Sequence, residues 1–297
     1  MRVAVTGAGG RLGSALVSRL GAGATTDQPT KILAWTRAEF DLDEPAPIGE
    51  LMATARPDLV VHAAAWTDVD GCASDPDLAM RRNGEATRVL AEACADAGAS
   101  MILVSTNEVF DGERTDRRGY RIDDTVSPAN AYGRSKVAGE TGAAATFDLG
   151  RGGGTLGIVR TAWLFGSGKP DFPAKIAAAA QQAMADGRSL RVVNDEFGTP
   201  TYVPDLADAI VRLALTGARG IHHVVNGGVA SRAEWARDVL ARYGIEVPIE
   251  EISLADHVRP SRPPHWGVLE ATPLPGGPLR SWRDAMADRI ALAEATR

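Results

Sequence analysis

The sequence predicts an α/β fold, a doubly wound parallel sheet with a smaller C-terminal lobe. Three observations carry this reading. Short, continuously apolar or β-branched runs alternate with longer stretches of helical periodicity. A glycine-rich turn joins the first run to the first helix, and Gly/Pro punctuation thickens only toward the C-terminal third. Continuous apolar strands suit a sheet covered on both faces, as parallel sheets are.

Taken in order, residues 2–6 (Arg-Val-Ala-Val-Thr) read as a buried strand and 11–20 as a helix with Leu12, Leu16 and Leu20 on one face. Residues 31–36 form a second strand and 58–62 a third. A long Ala/Leu helix follows over 76–97, then a fourth strand over 100–105, a helix from about 131 to 145 and a strand near 155–160. Beyond these, Gly198-Thr199-Pro200, Gly227-Gly228 and Pro263-Pro264 interrupt the chain, with helices near 204–216, 231–242 and 280–295. The division expected is a dinucleotide-binding Rossmann domain over 1–160, carrying the catalytic residues, and a mainly substrate-binding lobe over 161–297 interleaved with it. The glycines at 150 and 152–154 read as a flexible surface loop.

At 297 residues the chain can bury a large core, and its 44% hydrophobic and 24% charged content is ordinary for a globular protein. A formal charge of −6 argues against nucleic acid as a partner, so any anion must be held by local geometry. The two cysteines, Cys72 and Cys94, lack the spacing of a zinc site or a disulfide framework, and they read as buried thiols in a reducing compartment. The first apolar run is too short for a signal peptide, and no run approaches the ~18 residues of a membrane span. A cytoplasmic protein with no membrane partner is expected.

Thr6-Gly7-Ala8-Gly9-Gly10-Arg11-Leu12-Gly13 follows the first strand and opens the first helix. Glycines at 7, 10 and 13 permit a tight turn, close approach of backbone to a pyrophosphate, and close helix–strand packing, with free N–H groups at the helix start. Gly7, Gly10, Arg11, Leu12 and Gly13 are therefore expected at a dinucleotide. The second strand ends in Thr36-Arg37 rather than an acid. A guanidinium can pair with a ribose 2′-phosphate in a fork, which favours NADPH, with NADH as an alternative.

Tyr132-Gly133-Arg134-Ser135-Lys136 places a phenol and an ammonium four residues apart on one helical face. Carbonyl reduction needs a hydride to carbon and a proton to oxygen. A phenol is a poor acid–base at neutral pH, and a nearby ammonium is expected to favour its phenolate. The same lysine can hold the nicotinamide ribose. Ser105-Thr106, at the end of the fourth strand, supplies a hydroxyl to orient the carbonyl.

Together these motifs resemble the extended short-chain dehydrogenase/reductase superfamily, and the stretches between them resemble the dTDP-4-dehydrorhamnose reductase family. His62-Ala63-Ala64-Ala65-Trp66-Thr67-Asp68-Val69-Asp70 is similar to that family's Asn-Ala-Ala-Ala-Tyr-Thr-x-Val-Asp stretch, and Asn83 sits in a similar Asn-x-x-x-Thr-x-x-Leu-Ala helix. Ser105-Thr106-Asn107-Glu108-Val109-Phe110-Asp111-Gly112 resembles Ser-Thr-Asp-Tyr-Val-Phe-Asp-Gly. Arg160-Thr161-Ala162-Trp163, the Asp195–Thr201 stretch and Arg259-Pro260-Ser261-Arg262-Pro263 match further family segments, so the likeness spans nearly the whole chain.

The resemblance implies Thr106, Tyr132 and Lys136 as the catalytic set, with Ser105 as second choice. It implies Val69, Asn107 and Trp163 at the sugar, Asp41 and Leu42 at the adenine, and Ala63, Ala64, Ala65 and Thr67 along the cofactor. The activity implied is NADPH-dependent reduction of a 4-keto group on a nucleotide-linked 6-deoxyhexose, foremost dTDP-4-dehydro-L-rhamnose to dTDP-L-rhamnose, by a monomer or homodimer. Alternatives are a related deoxysugar 4-ketoreductase of secondary metabolism, a non-catalytic NADP-binding regulatory subunit, and an epimerase or dehydratase. Two positions depart from the family pattern: Asn107 stands for its Asp and Glu108 for its Tyr, which alters the hydroxyl pattern that could be recognised. The final helix lacks the acidic cluster of a metal-bridged dimer, and no metal site is expected.

Overall fold

The computed structural model describes residues 1–22, 30–150, 152–166, 168 and 170–295. The first half runs β1 (Arg2–Thr6), α1 (Arg11–Gly21), β2 (Lys31–Trp35), α2 (Ile48–Ala55), β3 (Leu59–His62), α3 (Val69–Ser74), α4 (Pro76–Ala79), α5 (Ala86–Asp96), β4 (Ser100–Thr106), α6 (Ala131–Asp148) and β5 (Leu156–Thr161). The second runs β6 (Leu164–Phe165), α7 (Phe172–Ala185), β7 (Leu190–Val193), β8 (Phe197–Gly198), β9 (Thr201–Tyr202), α8 (Val203–Leu215), β10 (Gly220–His223), β11 (Ala230–Ser231), α9 (Arg232–Tyr243), β12 (Ile249–Ile252) and α10 (Trp282–Ala295).

Six strands form one parallel sheet in the order β10-β5-β4-β3-β1-β2. Side chains alternate across it, as strand geometry requires. Val3 and Val5 face a core shared with Leu12, Leu16 and Leu20 of α1 and Leu206 and Ile210 of α8, while Ala4 and Val60 face Leu90 of α5 and Ala143 of α6. Burying a leucine or isoleucine of this kind is worth about 1.5–3 kcal/mol. The chain leaves β1 for β2 on one side and returns to β3 on the other, so strand order reverses at β1. The register sets Thr6 level with both Trp35 and His62, and a crevice opens beyond these strand ends.

Residues 203–223 return to this sheet: α8 packs on α1, and β10 extends the sheet beyond β5. The helix near 204–216, grouped by sequence with the C-terminal lobe, thus forms part of the sheet's helical layer. Its wide apolar face, from Val203 to Leu213, matches the leucine stripe of α1. The remaining segments build short pairings, β7 with β12, β8 with β11 and β6 with β9, around buried Trp235. Phe172 and Trp163 stack on the Trp235 ring at centroid distances of 4.3 and 5.7 Å.

One expectation needs correction. The helix expected over 76–97 contains a π turn over Met80–Glu85, where the Ala86 N–H donates to Arg81 O, five residues back. The glycines at 150, 152 and 153 are exposed at the surface, with open space beside Gly150 and Gly153, while a Cβ at Gly152 would fall 2.0 Å from Ala95 O. Among the described residues no helix is long and apolar enough to cross a membrane.

His62 and His223 are fully enclosed, and burial pushes their pKa values down to about 3 and about 4. Both rings stay neutral in the fold while the unfolded chain takes up protons below about 6.5. Stability present above that pH is therefore lost as the pH falls toward 4, by up to about 1.4 kcal/mol per pH unit per histidine. Urea-unfolding free energies between pH 7.5 and 4.5 are expected to fall less steeply in His62→Gln than in the wild type. Equal slopes would contradict this assignment.

Candidate active site

The turn after β1 is closed by Gly10 N–H donating to Gly7 O at 2.8 Å. Gly7 has φ +64°, and a Cβ there would lie 2.9 Å from the backbone of Ala64; one on Gly13 would lie 2.0 Å from Gly7 O. These positions admit only glycine, which brings the start of α1 against the loop after β3. A cavity of about 540 Å³ opens over the turn, lined by Gly7, Gly9, Gly10, Thr36, Arg37, Phe40, Asp41, Leu42, Asp43, Ala63, Ala64, Ala65, Trp66 and Arg82. A backbone cradle at one end and a polar pocket at the other fit an adenine dinucleotide. The Leu12 side chain is in the core, so only its main chain is available to this crevice, and Arg11 turns its guanidinium to Gly166 O at 2.8 Å. Thr67 is exposed.

Arg37 is exposed at the mouth of the cavity and pairs with Asp41 at 3.0 Å and Asp43 at 2.8 Å. Asp43 also holds Arg82, at 2.6 and 2.8 Å, and the Arg82 guanidinium lies 5.1 Å from the Trp66 ring centroid. Nothing in the local sequence around Arg82 points to this site, because its partner Asp43 lies 39 positions away.

The loop after β3 is fixed by two hydrogen-bond chains. Ala64 N–H donates to Thr6 Oγ1, Thr6 lies 2.8 Å from His62 Nδ1, His62 Nε2 lies 3.2 Å from Thr87 Oγ1, and Thr87 donates to Asn83 O. With each hydroxyl passing its proton along, this order assigns the proton of the neutral ring to Nε2. Asn83, on the π turn, accepts from Trp66 N at 2.8 Å and donates to Trp66 O and Ser135 Oγ, both at 3.0 Å. Ser135 donates to Tyr132 O at 2.7 Å.

The three expected catalytic residues gather where the C-terminal end of β4 meets the start of α6. Thr106 ends β4, its Oγ1 accepting from Glu108 N and donating to Asn107 Oδ1. Tyr132 lies in the first turn of α6, whose N-cap, Asn130, accepts from Gly133 N at 2.8 Å. Lys136 sits one turn further on, donating to Val104 O at 2.9 Å. Ser105 falls on the opposite face of the strand from Thr106, its hydroxyl buried without a hydrogen-bond partner.

Burial pushes the Tyr132 phenol above its usual range, helped by the charge of Glu108 and opposed by the Thr106 hydroxyl. Burial also draws Lys136 down to about 8, with Glu140 acting the other way. Desolvation thus favours the neutral phenol, the form that can donate a proton, rather than the phenolate expected beside an ammonium. Glu140 itself is held by Arg160, Nη2 to Oε2 at 2.6 Å, in a buried pair one turn beyond Lys136.

The three residues expected at a sugar sit in three separate settings. Val69 packs beside Tyr132, together with Trp66 and Cys72. Asn107 is 3% exposed and donates to Gly267 O at 3.0 Å, tying β4 to the C-terminal lobe. Trp163 takes φ +44°, with Trp235 stacked on its ring and the Arg232 guanidinium 3.5 Å from its centroid. Arg232 in turn pairs with Glu196 at 2.8 Å. Asp70 binds Arg259 at 2.9 Å and the Ser261 hydroxyl at 2.6 Å, tying α3 to the C-terminal lobe. Among the described residues no group of three or more His, Cys, Asp or Glu is placed to hold a metal.

Comparison with known proteins identifies the family. The family model for the RmlD substrate binding domain matches residues 1–294. The chain is 38% identical over 299 residues to dTDP-4-dehydrorhamnose reductase of Mycobacterium tuberculosis, covering 98% of this chain and 92% of that one. Its fold superposes on the dTDP-4-dehydrorhamnose reductase structure from Clostridium acetobutylicum with a TM-score of 0.88, at 28% identity, over 99% of this chain and 100% of the other. The Bacillus anthracis dTDP-4-dehydrorhamnose reductase, solved in complex with NADP, superposes with a TM-score of 0.85 at 27% identity, over 98% of each chain. From its glycine turn to its last helix, the chain belongs to the dTDP-4-dehydrorhamnose reductase family.

Proposed function

We propose that the protein reduces the 4-keto group of a nucleotide-linked 6-deoxyhexose, with dTDP-4-dehydro-L-rhamnose as the foremost substrate and NADPH as the reductant. The observation that carries this reading is the convergence of Thr106, Tyr132 and Lys136 beside the dinucleotide-shaped crevice. When bound, the dinucleotide supplies the hydride. Main-chain groups of Gly7, Gly10, Arg11, Leu12 and Gly13 would hold its pyrophosphate, and Ala63, Ala64, Ala65 and Thr67 would flank it. Asp41 and Leu42 would sit at the adenine, and Arg37 at a 2′-phosphate. Arg82, sharing Asp43 with Arg37, would add a second guanidinium there. The carboxylates of Asp41 and Asp43 could accept from a free 2′-hydroxyl, which allows NADH as well.

On the protein side, the Thr106 hydroxyl orients the ketone, and the neutral Tyr132 phenol delivers the proton to its oxygen. Lys136, drawn below its ordinary range, takes a proton back to the phenol and positions the ribose. Val69 and Trp163 would bound the sugar. Asn107, whose amide is occupied by Gly267 O, shapes the pocket through the lobe it holds. That occupied amide, with Glu108 at the next position, favours one second reading, a related 4-ketoreductase of another deoxysugar.

NADPH consumption with a panel of dTDP-4-keto-6-deoxy sugars, with the product's configuration determined, tests the activity. Tyr132→Phe is expected to lower kcat by about 10²–10⁴-fold; unchanged turnover would remove the phenol from the reaction. Lys136→Met should separate stability from function. The buried ammonium of Lys136 costs up to about 3 kcal/mol below pH 8, a penalty that fades between pH 8 and the unfolded value of 10.5. Methionine is thus expected to stabilise the fold at pH 7 by about 1–3 kcal/mol while abolishing most turnover. A loss of stability at pH 7 would show that the lysine is not carried at a cost.

A further inference from the structure

We infer that Glu108 is a second proton-transfer residue, able to exchange the hydrogen on the carbon next to the ketone of the bound sugar. This gives the protein a redox-neutral activity beside reduction. The inference rests on the keto-sugar reading above and concerns a carboxylate which that reaction leaves unused.

Position is the first argument. Glu108 follows β4 directly, and its N–H donates to Thr106 Oγ1 at 3.2 Å, so its side chain starts two residues from the hydroxyl that orients the ketone. Its carboxylate accepts from Asn130 Nδ2 at 2.6 Å. The same amide caps α6 through Gly133 N and donates to Arg262 O, so carboxylate and Tyr132 phenol hang from one rigid helix start.

Charge is the second. The charges that act on Glu108 are Glu196, Arg232 and Arg259, but Arg232 is held by Glu196 and Arg259 by Asp70. Among the described residues Glu108 makes no ion pair. Burial first, and then Glu196, push its pKa upward against the opposing pull of Asn130 and the two arginines, and the Tyr132 phenol feels its charge. A desolvated carboxylate without a cation is costly to keep, yet it is a stronger base than a fully exposed one.

The step balances without a reductant. The Glu108 carboxylate takes the proton from C3 or C5 of the 4-keto sugar, the C–H electron pair becomes a double bond to C4, and the carbonyl pair moves to oxygen. That oxygen takes the Tyr132 proton. In reverse, the phenol recovers its proton and Glu108 returns one to carbon after exchange with solvent. A single base on one face returns the proton to that face, so the result is isotope exchange without inversion.

The test is deuterium uptake. The full-length protein is incubated in D₂O with a dTDP-4-keto-6-deoxyhexose and no NADPH, and the recovered sugar is weighed by mass spectrometry. Wild type is expected to add one deuterium at least about tenfold faster than heat-denatured protein, and Glu108→Gln to lose at least about tenfold of that rate. Both proteins are assayed in parallel for NADPH oxidation, which reports folding and the reductase reading separately. Should Glu108→Gln not fold, Glu108→Asp, with its shortened reach, is expected to show the same selective loss of exchange. NADPH oxidation by wild type without exchange above background overturns this inference alone, as does exchange by the folded variant at the wild-type rate. Neither oxidation nor exchange with any keto sugar removes both readings.

Discussion

The side chain of Asn83 joins parts of the molecule that no strand pairing connects. It brackets Trp66 from both sides of the peptide and donates to Ser135, which donates to the carbonyl of Tyr132. The loop flooring the dinucleotide crevice and the helix carrying the phenol and lysine are thereby fixed to one amide. Asn83 reaches this position because the helix takes a π turn there, which rotates the residues on either side relative to an α-helical register. Buried amides that satisfy three hydrogen bonds act as rigid spacers, since each bond lost would leave a polar group stranded.

Around that spacer, burial governs the chemistry. Lys136 and Tyr132 are both nearly closed to solvent, and both are driven toward their neutral forms. This arrangement trades stability for reactivity: an ammonium with its midpoint drawn down to about 8 passes a proton on more readily than an exposed lysine would. The Arg160–Glu140 pair one turn further on limits the trade. Glu140 opposes the loss of charge on Lys136, while Arg160 keeps that carboxylate from acting as an unpaired buried ion.

Much of this was legible in the sequence because local rules and global packing agree there. Val3, Val5 and the leucines of α1 fix the centre of the sheet, and the spacing of Gly7, Gly10 and Gly13 locates the crevice. Tyr132 and Lys136 share a face at any helical register. Other parts depend on contacts that local patterns do not encode. Helix α7 is rich in alanine on all sides and shows no apolar stripe, although Asp171 caps it and Pro173 sits in its first turn. The π turn has no signature in Met80–Glu85. The roles of Arg82, Asn107 and Glu108 are set by partners many positions away: Asp43, Gly267 and Asn130. That α8 and β10 are the segments by which the C-terminal half interleaves with the sheet is set by packing on α1 and pairing with β5, not by local pattern.

The most direct test of the account is to alter the amide while keeping its shape. Asn83→Asp retains an acceptor for Trp66 N but loses the donors to Trp66 O and Ser135. If that amide holds the phenol against the crevice, kcat for keto-sugar reduction should fall by about tenfold to a hundredfold, as expected for a displacement near 1 Å. The KM for NADPH should move far less. A variant that folds with kcat and KM both at wild-type values would show that the phenol is positioned without Asn83, and the account would not stand.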